Sequence, residues 1–176
     1  MNHSPDNPVF PMPQKVSLDP RATFRLEESC PILVPEQATE HDLFLARFLV
    51  AVLSDRFGLP LSIRQGTAVP RTQPSIVVGA AGSPLVRARC EAWGVDISPS
   101  NPGPEGYGLH VCKEGILVAG SDDRGAFYGL QTLRQLLRPQ GQPEGAPRDA
   151  GAAVPGAQIR DRPHVPFRGI RLYLPG

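Results

Sequence analysis

The chain has 176 residues, enough for one ordinary core and too few for two large ones. Its formal net charge of +1 excludes the broad single-sign field that draws proteins to nucleic acid or anionic membranes, and no apolar run is long enough to span a bilayer. Hydrophobic residues at 40% and charged residues at 20% are globular values, whereas 18 Gly and 21 Pro imply that part of the chain is loose.

Prolines at 5, 8, 11, 13 and 20 interrupt any period before about Glu28, so residues 1–28 are expected to form an irregular N-terminal arm. No continuous apolar run of signal-peptide length lies in the first 25 residues, which makes cytoplasmic residence the default expectation, with secretion left open if a leader was removed. An ordered domain is expected over residues 29–161. It opens with Pro31-Ile32-Leu33-Val34-Pro35, a short apolar run fenced by prolines that suits an edge strand.

The strongest helix signal follows. Thr39 with Asp42 three residues on resembles a capping box, and Leu43, Phe44, Phe48, Val52 and Leu53 come at helical spacing. Leu45, Leu49 and Val50 widen the stripe, and Gly58 with Pro60 ends it. A stripe so broad implies burial against a sheet. Short strands fit 61–64 and 75–78, and 84–93 is consistent with a short helix. Residues 99–104 read as a loop.

Tyr107, Leu109 and Val111 alternate with Gly108, His110 and Cys112; after Lys113-Glu114-Gly115 the alternation resumes at Ile116 and Val118, which predicts a hairpin. Ser121 or Asp122 can cap a second helix to about Leu137 with Phe127, Leu130, Leu133 and Leu137 inside. Gly125 and Gly129 share one face of it; each weakens the helix by about 1 kcal/mol relative to Ala, so another backbone is expected to approach there. Residues 139–156 lack periodicity and read as a flexible loop, and strands are expected over 157–161 and 168–174. The order favours an α+β fold: a mixed β-sheet with two main helices packed on one face, a two-layer α/β sandwich.

Catalytic signals are sparse. Cys30, Cys90 and Cys112 contain no C-x-x-C pair, and His3, His41, His110 and His164 show no metal-ligand spacing, so no metal or cofactor is expected. Gly79-Ala80-Ala81-Gly82 follows a strand but matches neither phosphate-binding glycine motif, and a plain turn explains it. Asp122-Asp123 falls at a helix start, where capping accounts for it. No nucleophile–base set is marked.

The segments EGYGLHV, GILVAGSDDRGAFYGLQTLRQLL and IRDRPHVPFRGI resemble the domain that precedes the barrel in family 20 β-N-acetylhexosaminidases. Related domains precede the barrels of family 84 enzymes and, more distantly, of α-glucuronidases and α-N-acetylglucosaminidases. The resemblance implies a non-catalytic domain supporting a glycoside hydrolase that removes terminal N-acetylhexosamine residues, with residues 162–176 as the start of a truncated catalytic barrel. Its partner would be the (β/α)8 barrel of the same full-length chain and, through it, an N-acetylhexosamine-containing glycan. The sheet face free of helices would press against that barrel, and Arg160, Arg162, His164, Arg168 and Arg171 would face it. The resemblance also implies that the substrate's own acetamido oxygen attacks while a Glu protonates the leaving group, a scheme outside the two-carboxylate rule. That acid and its neighbouring Asp would lie beyond Gly176.

One residue here is implied to touch substrate. Arg168 of VPFRGI stands where the family's Arg-Gly pair forks its donors onto sugar hydroxyls, a geometry that suits a planar guanidinium. Read without the resemblance, Arg168 is an arginine paired with Asp161 or solvent. Tyr173 stands where many hexosaminidases carry an Asp, which leaves the substrate open. Two further readings remain open at this stage: a stand-alone carbohydrate- or protein-interaction module, and the same domain from another class of glycosidase.

Overall fold

A computed structural model describes residues 8–70, 73–140, 151–165 and 169. In chain order the elements are β1 (Lys15–Leu26), β2 (Ile32–Pro35), α1 (Glu40–Phe57), β3 (Ile63–Gly66), β4 (Ser75–Ala80), α2 (Pro84–Trp93), β5 (Tyr107–Cys112), β6 (Gly115–Gly120), α3 (Asp123–Leu136), β7 (Arg138–Pro139) and β8 (Ala152–Asp161). The strands form one mixed sheet in the order β1-β8-β5-β6-β4-β2-β3, with β7 pairing onto β8. Strands β3, β2, β4 and β6 run parallel, and β5, β8 and β1 are joined antiparallel.

The parallel part explains itself from sequence. Strands covered on both faces need continuous apolar runs rather than alternation. Ile32, Val34, Ile76, Val78, Ile116 and Val118 point into a core shared with α1 and α3, whereas Leu33, Val77, Leu117 and Ala119 meet α2 on the other side. The two main helices thus share one face, as expected, and α2 adds a smaller cover to the opposite face.

Helix α1 starts where the capping box predicts. Asp42 donates its N–H to Thr39 Oγ1 at 3.1 Å, and Thr39 returns its N–H to Asp42 Oδ2 at 2.9 Å. Gly58, at φ 63°, closes the helix in the left-handed region that a glycine enters without strain. The buried line is Leu45, Leu49, Leu53 and Phe57, spaced four apart. Phe44 is exposed and Phe48 only half-buried, so the stripe's phase differs from the sequence expectation.

Four local expectations require correction. The arm over residues 1–28 is not irregular throughout, because β1 occupies Lys15–Leu26 and pairs with β8. Prolines hid it, yet an edge strand tolerates them where the ladder is interrupted. Pro20 lies inside the register shift between Asp19 and Phe24, and Val16, Leu18, Phe24 and Leu26 keep the inward alternation on either side. The supposed loop over 139–156 likewise ends early, since β8 begins at Ala152; Pro155 falls at the same register shift. The run Pro31–Pro35 is no edge strand: β2 lies between β4 and β3, with its prolines confined to the ends. The strand expected over 61–64 sits two residues later, at Ile63–Gly66. Apart from Gly169, the strand expected over 168–174 lies outside the described residues.

Candidate functional site

The residues that carry the EGYG and GSDDRGAFYG motifs meet at the start of α3. Asp122 caps the helix, accepting the Gly125 N–H on Oδ1 and the Glu105 N–H on Oδ2, both at 2.8 Å. Ser121 donates its N–H to the Gly106 carbonyl at 2.8 Å, and Arg124 pairs with Glu105 at 3.1 Å. A Cβ on Gly125 would lie 2.0 Å from the Gly106 oxygen; one on Gly129 would meet Val118 at 2.7 Å and the Tyr107 ring at 3.0 Å. The expected close approach is therefore present. Deeper along the same contact, the buried Tyr107 hydroxyl and Thr132 Oγ1 lie 2.7 Å apart. Burial is the main cause that pushes the Tyr107 phenol up to about 12. Both motifs lock α3 onto β5 and β6, and the Asp122 carboxylate and the Ser121 N–H are spent on that junction.

Helix α3 in turn places an aromatic ridge on the outer side of the helix layer. Phe127 lies 6.1 Å from Phe44 and 5.8 Å from Phe48, centroid to centroid, and Phe44 continues to His41 at 5.9 Å. Tyr128 follows Phe127 at 6.2 Å and also lines a groove of about 450 Å3 between α3 and the N-terminal segment. That segment is held by the Phe10 N–H on Gln135 Oε1 at 2.9 Å and by Gln14 on Asp161 and Arg162. Phe10 is 84% exposed, Met12 49% and Val165 54%, all on this groove; Phe44 on the ridge is 48% exposed. These four are the exposed large apolar side chains among the described residues. A monomer's surface rarely gathers such groups on one side without a partner.

The opposite face differs in chemistry. There α2 covers the central strands, and the open remainder is a groove of mixed lining, in which Lys15, His110 and Arg160 stand beside Val95, Ile97 and Trp93. The sheet face expected to be free of helices is thus partly covered. Arg160 hydrogen-bonds Asn101 and pairs with Asp96 at 3.7 Å, and Arg162 donates to the Pro102 carbonyl at 3.1 Å. Two members of the basic cluster therefore secure the loop before β5. His110, its ring tilted 43° to that of Trp93 at 5.3 Å, is held below its ordinary range by burial.

Arg168, the residue implied to contact sugar, lies outside the described residues, as does Arg171. Among the described residues no three His, Cys, Asp or Glu side chains gather as a metal site, and no helix is long and apolar enough to cross a membrane. The aromatic ridge was only half legible in sequence, because Phe44, Phe48 and Phe127 all read as inward-facing. Their clustering emerges only once α1 and α3 lie side by side.

Known proteins resemble this architecture. The chain is 40% identical over 68 residues to a β-hexosaminidase of Porphyromonas gingivalis, a match spanning 39% of this chain and 9% of that protein. It is 41% identical over 68 residues to a β-hexosaminidase of Akkermansia muciniphila, spanning 38% of this chain and 12% of the relative. Among solved structures, the fold is similar to Flavobacterium johnsoniae chitobiase (TM-score 0.63, 22% identity), covering 98% of this chain and 23% of that one. It is also similar to the Streptomyces plicatus N-acetyl-β-hexosaminidase (TM-score 0.59, 23% identity), covering 94% and 28% respectively. The chain thus spans only a small part of the length of its relatives. Its model match over residues 6–162, nearly the whole chain, shows that it belongs to glycosyl hydrolase family 20, domain 2.

Proposed function

We propose that this domain is the non-catalytic support of a glycoside hydrolase that removes terminal N-acetylhexosamine residues, and that it docks on the enzyme's catalytic (β/α)8 barrel through the outer side of α1 and α3. The observation that carries the docking side is the gathering of Phe10, Met12, Phe44 and Val165 there, joined by the Phe48, Phe127 and Tyr128 rings. Strand β8 ends at Asp161 beside the same groove, so the chain leaves the sheet toward this surface. Burial of such rings stabilises an interface by roughly 1.5–3 kcal/mol each. Placement of the barrel in this way leaves the acid chemistry to residues outside the chain.

The full-length enzyme tests this. Phe44→Ser combined with Phe127→Ser is expected to lower its melting temperature and to speed proteolytic release of the domain, while the 176-residue chain alone keeps its far-UV spectrum. Unchanged melting and proteolysis would move the interface elsewhere. Failure of the intact enzyme to free N-acetylhexosamine from aryl glycosides would remove the substrate assignment. Arg168 is proposed to fork onto hydroxyls of the terminal sugar. Arg168→Lys in the full-length enzyme should then lower kcat/KM by roughly ten-fold or more, and an unaltered value would return it to a surface role.

A further inference from the structure

On the face away from α1 and α3, the described part of the β3–β4 loop and α2 enclose a cavity of about 680 Å3, lined by Thr67, Val69, Gln73, Arg89, Trp93 and Lys113 among others. Arg89 is 6% exposed. Its Nη2 donates to Ser75 Oγ at 2.9 Å, its guanidinium lies 4.4 Å from the Trp93 ring centroid, and its Nε has no partner. The ion pairs of the described residues, Arg124–Glu105 and Arg160–Asp96, leave Arg89 out. A buried guanidinium without a carboxylate is unusual, because desolvation of the charge is offset only in part by Ser75 and the Trp93 ring. Burial accordingly pulls Arg89 below its ordinary range, against the opposing influence of Cys112 and Glu114.

We propose that this cavity binds a small monocarboxylate ligand, with the carboxylate closing on Arg89 and Lys113. A planar carboxylate matches the forked donors of a guanidinium better than a spherical anion does. Lys113 is exposed at the cavity's edge and adds a second positive charge, while Glu114 beside it cancels one. Among the described lining residues one positive charge remains, which suits a carboxylate. The volume falls in the range that holds a ligand of monosaccharide size. Trp93 already carries Arg89 on one ring face, so the ligand's body would rest on the loop side instead.

Calorimetric titration of the 176-residue chain with D-glucuronate, and with D-glucose as a size-matched neutral control, tests the site. Saturable glucuronate binding is expected, at least about ten-fold tighter than glucose. Arg89→Lys should weaken it roughly ten-fold, and Lys113→Gln roughly three-fold with an unchanged melting temperature, since Lys113 is exposed. Glucuronate that fails to saturate, binds no tighter than glucose, or ignores the Lys113→Gln change overturns the proposal. Inorganic phosphate binding as tightly as glucuronate overturns the carboxylate assignment.

Discussion

At the scale of single residues, the motif around α3 is a packing device before it is anything else. The Asp122 side chain satisfies the N–H groups of both Gly125 and Glu105, so Asp122→Ala strips a helix cap and a loop tether together. A cap alone contributes about 0.5–2 kcal/mol, and the second hydrogen bond places the expected loss at the upper end of that range in urea denaturation. The glycines are stricter. Gly125→Ala forces a Cβ against the Gly106 carbonyl at 2.0 Å, backbone against backbone, which only movement of α3 relieves. Overpacking of this kind costs about 1–3 kcal/mol. Gly82→Ala, where nothing lies within 4 Å, should stay within about 0.5 kcal/mol of the parent in the same denaturation series. This contrast was legible in sequence: two glycines four apart inside a helix predict a close neighbour. The neighbour's identity, the backbone at Gly106 and the ring of Tyr107, was not, because only the fold brings position 106 against 125.

Elements were legible in proportion to how far local chemistry fixes them. Helix α1 has a reciprocal cap at one end and a left-handed glycine at the other, and both ends fall where the sequence places them. Its orientation was not readable, because Leu, Phe and Val occur on nearly every side of it and periodicity cannot choose among them. Contact decides instead: Leu49 is buried under the sheet's core, while Phe44 faces outward. Leu49→Ala should therefore cost about 2–5 kcal/mol in the isolated chain, and Phe44→Ser no more than about 1, as chemical denaturation would report. A similar loss for both would mean that the outward ring is as structural as the inward one. Strand β1 and the first half of β8 were hidden for a complementary reason. Their prolines and glycines deny a local signal, and pairing with a partner more than a hundred residues away supplies the order. The partial cover of the second sheet face was missed for the same cause, since it depends on where the weakly patterned helix α2 lands.

For the whole molecule, the titrating groups buried by folding set a pH window. Burial raises the thiols of Cys30, Cys90 and Cys112 from 9.0 to about 11, and Tyr107 from 10.0 to about 12. Each folded-state value exceeds its unfolded value, so the neutral form is favoured by the fold. The associated stability is fully present below about pH 9, and is lost as pH climbs through the folded values, because the unfolded chain releases protons first. His110 works in the opposite sense on the acid side: its folded value is depressed, so its contribution is present above the ordinary histidine range and fades as pH falls through the folded value. The urea midpoint of the chain is therefore expected to be nearly level from pH 7 to 8.5 and to fall steadily between roughly 9 and 12. Tyr107→Phe should lower the midpoint at neutral pH, through the lost partner of Thr132, yet flatten the decline above pH 10. Iodoacetamide at pH 8 provides an independent check, since a neutral buried thiol is a poor nucleophile. Cys30 and Cys90, both buried, should label only in denaturant, and Cys112, partly exposed, slowly without it. A midpoint that rises with pH, or rapid native labelling of Cys30, would mean that the core around the sheet is open to water rather than sealed by its helices.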